Sequence, residues 1–310
     1  MIRTLATTTA AAALLTLTAC KGGGASGDAA KLIPDAATVI GGANIQAMMK
    51  SPLYDGNKEM LEKGEQKEMM DAAKECNLGP DTWKSVVFGV DPEGGDSKMA
   101  VVLVATGLGK KENLECIAGK AKEKNDGKEP WTMEEKDGKL VLNIDDGEAT
   151  GYVVNDDTLA VAGKDRAGAV KELVDGKGKP AIENSLKDVL GRTDMSKAVW
   201  AAGVIPASMA SGPADGMKDG AMWVDMSSGL EISASIGVKD ADTATAKAKE
   251  FETQYNQVKG MAGGFGVPSG VTDSVKIEAK DAAIHVSAKA SKEDLEKINE
   301  AVKKNLGGMM

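Results

Sequence analysis

Residue types that carry catalysis or metal binding are thinly represented in this chain. A single histidine, His285, leaves no multi-histidine metal site, and any Ser-His-Asp triad would have to be built on it. It stands in Ala283-Ile284-His285-Val286-Ser287, where strand alternation turns it away from Ile284 and Val286, so an exposed or structural role is expected. No Gly-x-Ser-x-Gly elbow, His-Glu-x-x-His or Cys-x-x-Cys is present. Gly107-Leu108-Gly109-Lys110-Lys111 falls between a strand and a helix, where backbone amides could hold an anion, yet it lacks P-loop spacing and the following Ser or Thr and reads as a turn. The acidic groups Asp91 to Asp96, Asp145-Asp146 and Asn155 to Asp157 could take Ca²⁺, but none has the ligand alternation and closing Glu of an EF-hand; they read as hairpin turns. Met48, Met49 and Met209 could line an apolar groove, with core packing the simpler reading. No catalytic, cofactor-binding or metal-binding residue is therefore expected.

The most specific chemistry lies at the N-terminus. Residues 5 to 17 form an uncharged run of Leu, Ala and Thr after a minimal positive start at Arg3, too short for a permanent membrane span and right for a signal-peptide core. It ends in Leu17-Thr18-Ala19-Cys20, which resembles the lipobox of bacterial lipoproteins. The resemblance implies removal of residues 1–19 and lipidation of Cys20, with the membrane as partner through that anchor. Several acyl chains hold a protein firmly because each buried methylene contributes about 0.8 kcal/mol. Residues 20–31, rich in glycine, read as a flexible tether. Lys21 lacks the acidic character that favours inner-membrane retention in enteric lipoproteins, which points to the outer membrane in a Gram-negative host.

Composition narrows the body of the protein. The formal charge of −9 and pI near 5.0, with Lys and Arg scattered, argue against nucleic acid and against a basic membrane-binding face. Aromatic residues make up 3% while Met numbers 16, so small and flexible side chains must fill the cores. No later uncharged stretch makes a second span, because the longest, around Ala198 to Pro213, is broken by Gly203, Pro206 and Gly212.

The elements that would position these residues follow from periodicity. Ala37 to Ile45 reads as a strand running into a short helix stopped by Pro52, and residues 57 to 74 as one surface helix. Lys84 to Val90 and Met99 to Thr106 form a hairpin, and Glu112 to Lys124 a helix on it, with Cys116 beside the apolar stripe. Strands follow at Trp131 to Glu135, Leu140 to Ile144, Thr150 to Val154 and Thr158 to Ala162, then a helix capped by Asp165. The linker Asp175 to Pro180 divides the chain, or the division falls just after a short helix at Ile182 to Leu190; taking the linker gives residues 32–177 and 178–306 as two units and 307–310 as a frayed tail.

The second unit replays the first. Ile45, Ala47, Met49 and Ser51 recur at one constant spacing as Ile205, Ala207, Met209 and Ser211, and Gly107, Leu114 and Ala118 recur as Gly237, Ala244 and Ala248. Strands at Ala221 to Met226, Leu230 to Val238, Val275 to Ala279 and Ala283 to Ala288 surround the longest helix, whose stripe Ala241, Ala244, Ala248, Phe251, Tyr255 and Val258 follows Asp240. A last helix starts at Ser291 with Asp294 as capping partner. The expected fold is α+β, two related halves, each of antiparallel hairpins covered on one face by helices. Lipobox, glycine tether, two α+β halves and a cysteine pair together resemble secreted lipoproteins of unknown function from myxobacteria and their relatives, a likeness of architecture that carries over no catalytic residue. The expected role is a non-catalytic structural or interaction module of the cell envelope with a protein partner; a binder of an apolar ligand comes second and an envelope hydrolase third.

Export would place Cys76 and Cys116 in an oxidising compartment, where a disulfide between them is expected against the alternatives of two buried thiols or a redox pair. Lipidation is checked directly: radiolabelled palmitate should enter the wild-type protein and not Cys20→Ser, and equal labelling of the two would remove the anchor.

Overall fold

The computed structural model describes residues 24–61, 64–124, 126–206, 208 and 214–307. Leu17, Thr18, Ala19 and Cys20, like Ala207, Met209 and Ser211, lie outside these residues.

After α1 (Gly24–Ala30) the chain enters β1 (Val39–Asn44), passes through α2 (Ile45–Met49), α3 (Pro52–Leu61) and α4 (Gly64–Glu75), and returns as β2 (Trp83–Val90) and β3 (Ala100–Ala105). α5 (Lys111–Lys124) leads into the meander β4 (Trp131–Lys136), β5 (Lys139–Ile144), β6 (Ala149–Asn155) and β7 (Thr158–Gly163), followed by α6 (Ala167–Val174). The second half runs α7 (Lys187–Leu190), β8 (Val199–Val204), β9 (Met217–Asp225), β10 (Gly229–Val238), α8 (Ala241–Ala262), α9 (Ser269–Ser274), β11 (Lys276–Lys280), β12 (Ala283–Ser291) and α10 (Lys292–Gly307). In both halves three consecutive strands are followed by a helix and then by a return that lays its last strand beside the third, β7 on β3 and β12 on β10.

All twelve strands belong to one antiparallel sheet in the order β11-β12-β10-β9-β8-β1-β2-β3-β7-β6-β5-β4. The halves meet where β1 pairs with β8, Ile40 opposite Ala202 and Gly42 opposite Trp200. A single core therefore crosses the junction: Ile40 and Val87 from the first half share it with Trp200, Ala202 and Ala221 from the second. The segment at Asp175 to Pro180 does not separate two bodies, because Pro34 bridges to Pro180 and Asp35 N donates to Lys179 O at 3.0 Å.

Helices cover both faces, not one. α1, α6 and α7 place Ala29, Ala30, Val170, Leu186 and Val189 on the face that carries Ile40 and Val87. On the opposite face α5 packs Leu114 against Leu142 and Leu159, and α8 packs Ala244 and Ala248 against Ile284. On this second face the helices bury the apolar side chains toward the two ends of the sheet, Leu142 and Leu159 under α5 and Ile284 under α8.

Several local expectations are corrected. From Gly24 the glycine-rich stretch is the helix α1, with Ser26, Gly27, Ala29 and Ala30 buried, because its alanines face the core. The short helix α2 ends at Met49 ahead of Pro52, as expected, but Pro52 also starts a further helix, α3, where its missing N–H costs nothing and Ser51 Oγ accepts from Tyr54 N at 3.1 Å. The single helix expected over residues 57 to 74 falls in α3 and α4 instead. Asp165 is not a cap, since its carboxylate accepts from Ser97 Oγ at 2.7 Å. The stripe of α8 overshoots the sheet: Val258 is 56% exposed, and Tyr255 donates to Thr272 O in α9. The caps at Asp240 and Ser291 are present, the latter as a reciprocal pair in which Asp294 accepts from Ser291 N and Ser291 Oγ accepts from Asp294 N.

Cys76 and Cys116 form a disulfide with S–S 2.01 Å, joining the end of α4 to α5. Their separation of 40 residues gives about 4 kcal/mol in the chain-entropy model, so reduction should lower the unfolding midpoint clearly and an unchanged denaturant curve would argue otherwise. At Gly42 a Cβ would stand 2.7 Å from the Trp200 ring, itself 1% exposed, so Gly42→Ala should cost about 1–3 kcal/mol by overpacking, measurable by urea titration. Lys197, 2.6 Å away, and then Ser227 hold the Asp225 carboxyl at about 2. Since that value lies below the unfolded one, the stabilisation is present above about pH 4 and fades as pH falls toward about 2. Asp225→Asn should accordingly be less stable than wild type at neutral pH, with the gap closing through that acid window; a gap independent of pH would exclude this pair as its source.

Candidate binding surface

The residues singled out for possible chemistry are placed apart and engaged structurally. His285 sits on β12 opposite Ser235 and Glu278, on the other side of the strand from Ile284 and Val286. The amides after β3 are met from within the chain: Gly107 N donates to Asp157 Oδ1 at 2.9 Å, and Asn113 Nδ2 donates to Gly107 O at 2.8 Å. Lys84 at 2.6 Å and then the Gly107 amide draw the Asp157 carboxyl below its usual range, so a carboxylate already occupies the place an anion would take. Asp91 accepts from Glu93 N and Lys98 Nζ, as a turn residue does. No group of three His, Cys, Asp or Glu arranged to hold a metal occurs among the described residues. Met48 and Met49 lie half-buried on α2.

A polar cleft of about 240 Å³ beside α6 gathers Lys139, Lys171, Asp175 and Tyr152. Its charges answer one another: Asp175 lies 2.7 Å from Lys171 and 3.0 Å from Lys139, which hold its carboxyl at about 2. Lys139 also donates to Val174 O at the end of α6, a favourable place for a cation. This network ties α6 to the sheet and leaves little charge for a ligand.

The surface that stands apart is apolar. Following the register across the sheet, one row runs Ile277, Val286, Ala234, Met222, Ala201, Gly41, Phe88, Val101, Val161, Gly151, Leu142, Met133 without a polar residue. Residues directly opposite in a ladder share a face, so the whole row lies on one side. Its ends are packed with α8 and α5, since Ile277 and Val286 join the former cluster and Leu142, Met133 and Val161 the latter. Its centre is open, with Phe88 37% and Met222 36% exposed. The flanking rows are equally apolar, Gly220, Gly203, Val39 and Val90 on one side and Val224, Val199, Ala43, Val86 and Leu103 on the other.

The relief of this face follows from side-chain size. β1 and β8 contribute the small floor Gly41, Ala43, Ala201 and Gly203, while Phe88 on β2 and Met222 on β9 form the walls. Three strand spacings separate the walls, about 14 Å, which matches one helix or one extended apolar segment. Gly41 is needed for this shape, because a Cβ there would stand 2.6 Å from the tip of the Phe88 ring. The patch covers on the order of 400 Å², well short of the roughly 800 Å² per partner of a standard interface.

Sequence reasoning did not single out Phe88 or Met222. The signal was present in Ser85-Val86-Val87-Phe88-Gly89-Val90 and Ala100-Val101-Val102-Leu103-Val104-Ala105, where the apolar run does not alternate and both faces must meet something other than water.

An open wall should tolerate charge where the closed face does not. Phe88→Asp should cost under about 1.5 kcal/mol and leave a folded protein, whereas Val87→Asp, one residue along and fully buried, should not fold; loss of folding in both would mean that the Phe88 face is covered.

No protein-family model matches the chain, and no curated protein sequence does. Among solved structures it is similar to crystal form III of TP0453, with TM-score 0.53 and 8% identity over 87% of this chain and 97% of that one. Crystal form I of TP0453 aligns with TM-score 0.48 and 10% identity over 89% and 98% of the two chains. At such identity the likeness of the first of these is one of fold alone, over nearly the whole length of that chain.

Proposed function

We propose that this chain is a lipid-anchored, non-catalytic interaction module of the cell envelope, built from two halves of duplicated origin, whose working surface is the open apolar face at their junction. The uninterrupted apolar row through Met222, Ala201, Gly41 and Phe88 carries the reading. A monomer exposing a contiguous apolar patch of several hundred Å² ordinarily uses it. The occupant is an apolar segment of a protein partner: the trough is shallow and open along its length, and methionine and a single aromatic ring supply adaptable walls. The shared order of three strands, helix and returning strand supports the duplicated origin, with the two extra strands of the first half as an insertion. The leader ending in Leu17-Thr18-Ala19-Cys20 supports the anchor.

A second reading, an apolar small ligand in the same trough, is favoured by the floor of Gly41, Ala43, Ala201 and Gly203 at the junction of the halves. Photoreactive residues at positions 88 and 222 of the full-length protein, activated in the native envelope, separate the two. A discrete protein adduct at both positions, absent from position 135 on the edge strand β4, is the expected result. Adducts of small mass only would favour the ligand, and no difference between these positions and the edge would overturn the surface.

A further inference from the structure

We propose that one end of the sheet, the end bearing Asn44 and α2, rests on the headgroup layer of an anionic bilayer, with the strands standing away from the membrane. The proposal deepens the lipid-anchor reading and rests on it. Two independent features lead to it: where the chain enters the body, and how charge is divided between the ends of the sheet.

Helix α1 is part of the core, with Ala29 2% and Ala30 0% exposed, so the chain is fixed to the body from its first described turn. Only Lys21, Gly22 and Gly23 lie between Cys20 and Gly24. Four Cα-to-Cα steps reach at most about 14 Å when fully extended. Each headgroup layer is itself roughly 5–8 Å thick. A lipidated Cys20 therefore cannot hold the body away from the surface.

Gly24 fixes which end is held. It lines a small cleft with Asn44, Gln46, Lys84, Met195 and Ser196, where β1 ends and β8 begins. The antiparallel register brings to this same end the turn at Gly107 to Lys111, the turn Lys136 to Lys139 and the short helix α2 with Lys50 after it. Two acidic residues here are neutralised, Asp157 by Lys84 and Asp225 by Lys197, each at 2.6 Å. The opposite end carries Glu93 and Asp96 in one turn, Asp145 and Asp146 in another and Asp281 in a third, besides Asp91, which Lys98 and Arg166 meet at 3.3 and 4.0 Å, and Glu148, which Lys164 meets at 2.8 Å. A chain of net charge −9 thus keeps an excess of acid at the far end, whereas at the anchored one Asp137 and Asp156 stand beside Lys50, Lys110 and Lys136 and the other lysines are already ion-paired. An anionic surface favours that orientation and opposes the reverse.

The test uses lipidated full-length protein in vesicles of phosphatidylethanolamine and phosphatidylglycerol, with a fluorophore on a single introduced cysteine and a nitroxide quencher on the lipid headgroup. Met49→Cys and Lys111→Cys report on the anchored end, Asp96→Cys and Glu148→Cys on the far end. Quenching at 49 and 111 should exceed that at 96 and 148 at least twofold, and twenty Gly/Ser residues inserted after Gly23 should reduce the difference. Equal quenching at both ends in protein that floats with the vesicles would overturn the orientation and leave the anchor standing. If wild-type protein and Cys20→Ser alike fail to float, anchor and orientation fall together.

Discussion

The close packing of two aromatic rings against two adjacent glycines holds the centre of the molecule together. Gly42 admits the Trp200 indole on the closed face of the sheet, and Gly41 admits the Phe88 ring on the open face. A Cβ at either position would stand within 2.7 Å of ring atoms. These glycines lie in β1, the strand bonded to β2 on one side and to β8 on the other, so the same few residues set the join between the halves. Interiors packed at crystal density transmit such a constraint instead of absorbing it. Once β1 is seated, the core from Ile40 to Ala221 is shared, and the two halves become one sheet.

That sheet has two unlike faces. The closed face under α1, α6 and α7 supplies most of the buried area, including Ile40, Val87, Val102 and Trp200, and each such side chain contributes about 1.5–3 kcal/mol. Among the described residues the open face is covered at its two ends, and between them Phe88 and Met222 remain more than a third exposed without loss of the core. Both outer edges are defended: β11 presents Lys276, Glu278 and Lys280, and β4 presents Glu134, Glu135 and Lys136, charges that discourage pairing with another chain. The disulfide strengthens the same arrangement by fixing α4 to α5 in the half that carries the extra helices.

On the proposed lipidation of Cys20, the short path to α1 would link this architecture to the membrane. A helix buried so near Cys20 would make that anchor a constraint on orientation as well as on location. In the proposed orientation the open trough along β1 and β8 would point outward from the surface, where a partner could enter it along its length.

Much of the local structure was legible in the sequence for simple reasons. Alternation and turn residues marked β4 to β7, where Lys136-Asp137-Gly138 and Asn155-Asp156-Asp157 leave the chain little choice, and the side chains of Asp240 and Ser291 marked two helix starts. Two cysteines in a chain expected to be exported pointed to their bond, which the structure contains. Other features depend on contacts that no local pattern records. Gly24 to Ala30 reads as coil by composition and becomes a helix because its small faces fit against β2, and Pro52 starts a helix because Ser51 is free to cap it. The apolar runs of β1, β2, β3 and β8 announced that both sides of these strands would avoid water; which side is closed by helices and which stays open was decided by where α1, α5, α6, α7 and α8 settle. The sequence by itself determined most strands and turns, because hydrogen bonding and periodicity act between near neighbours. Only the tertiary structure decided that the halves share one sheet and leave an apolar trough at their junction, because cross-strand register is set between residues far apart in the chain.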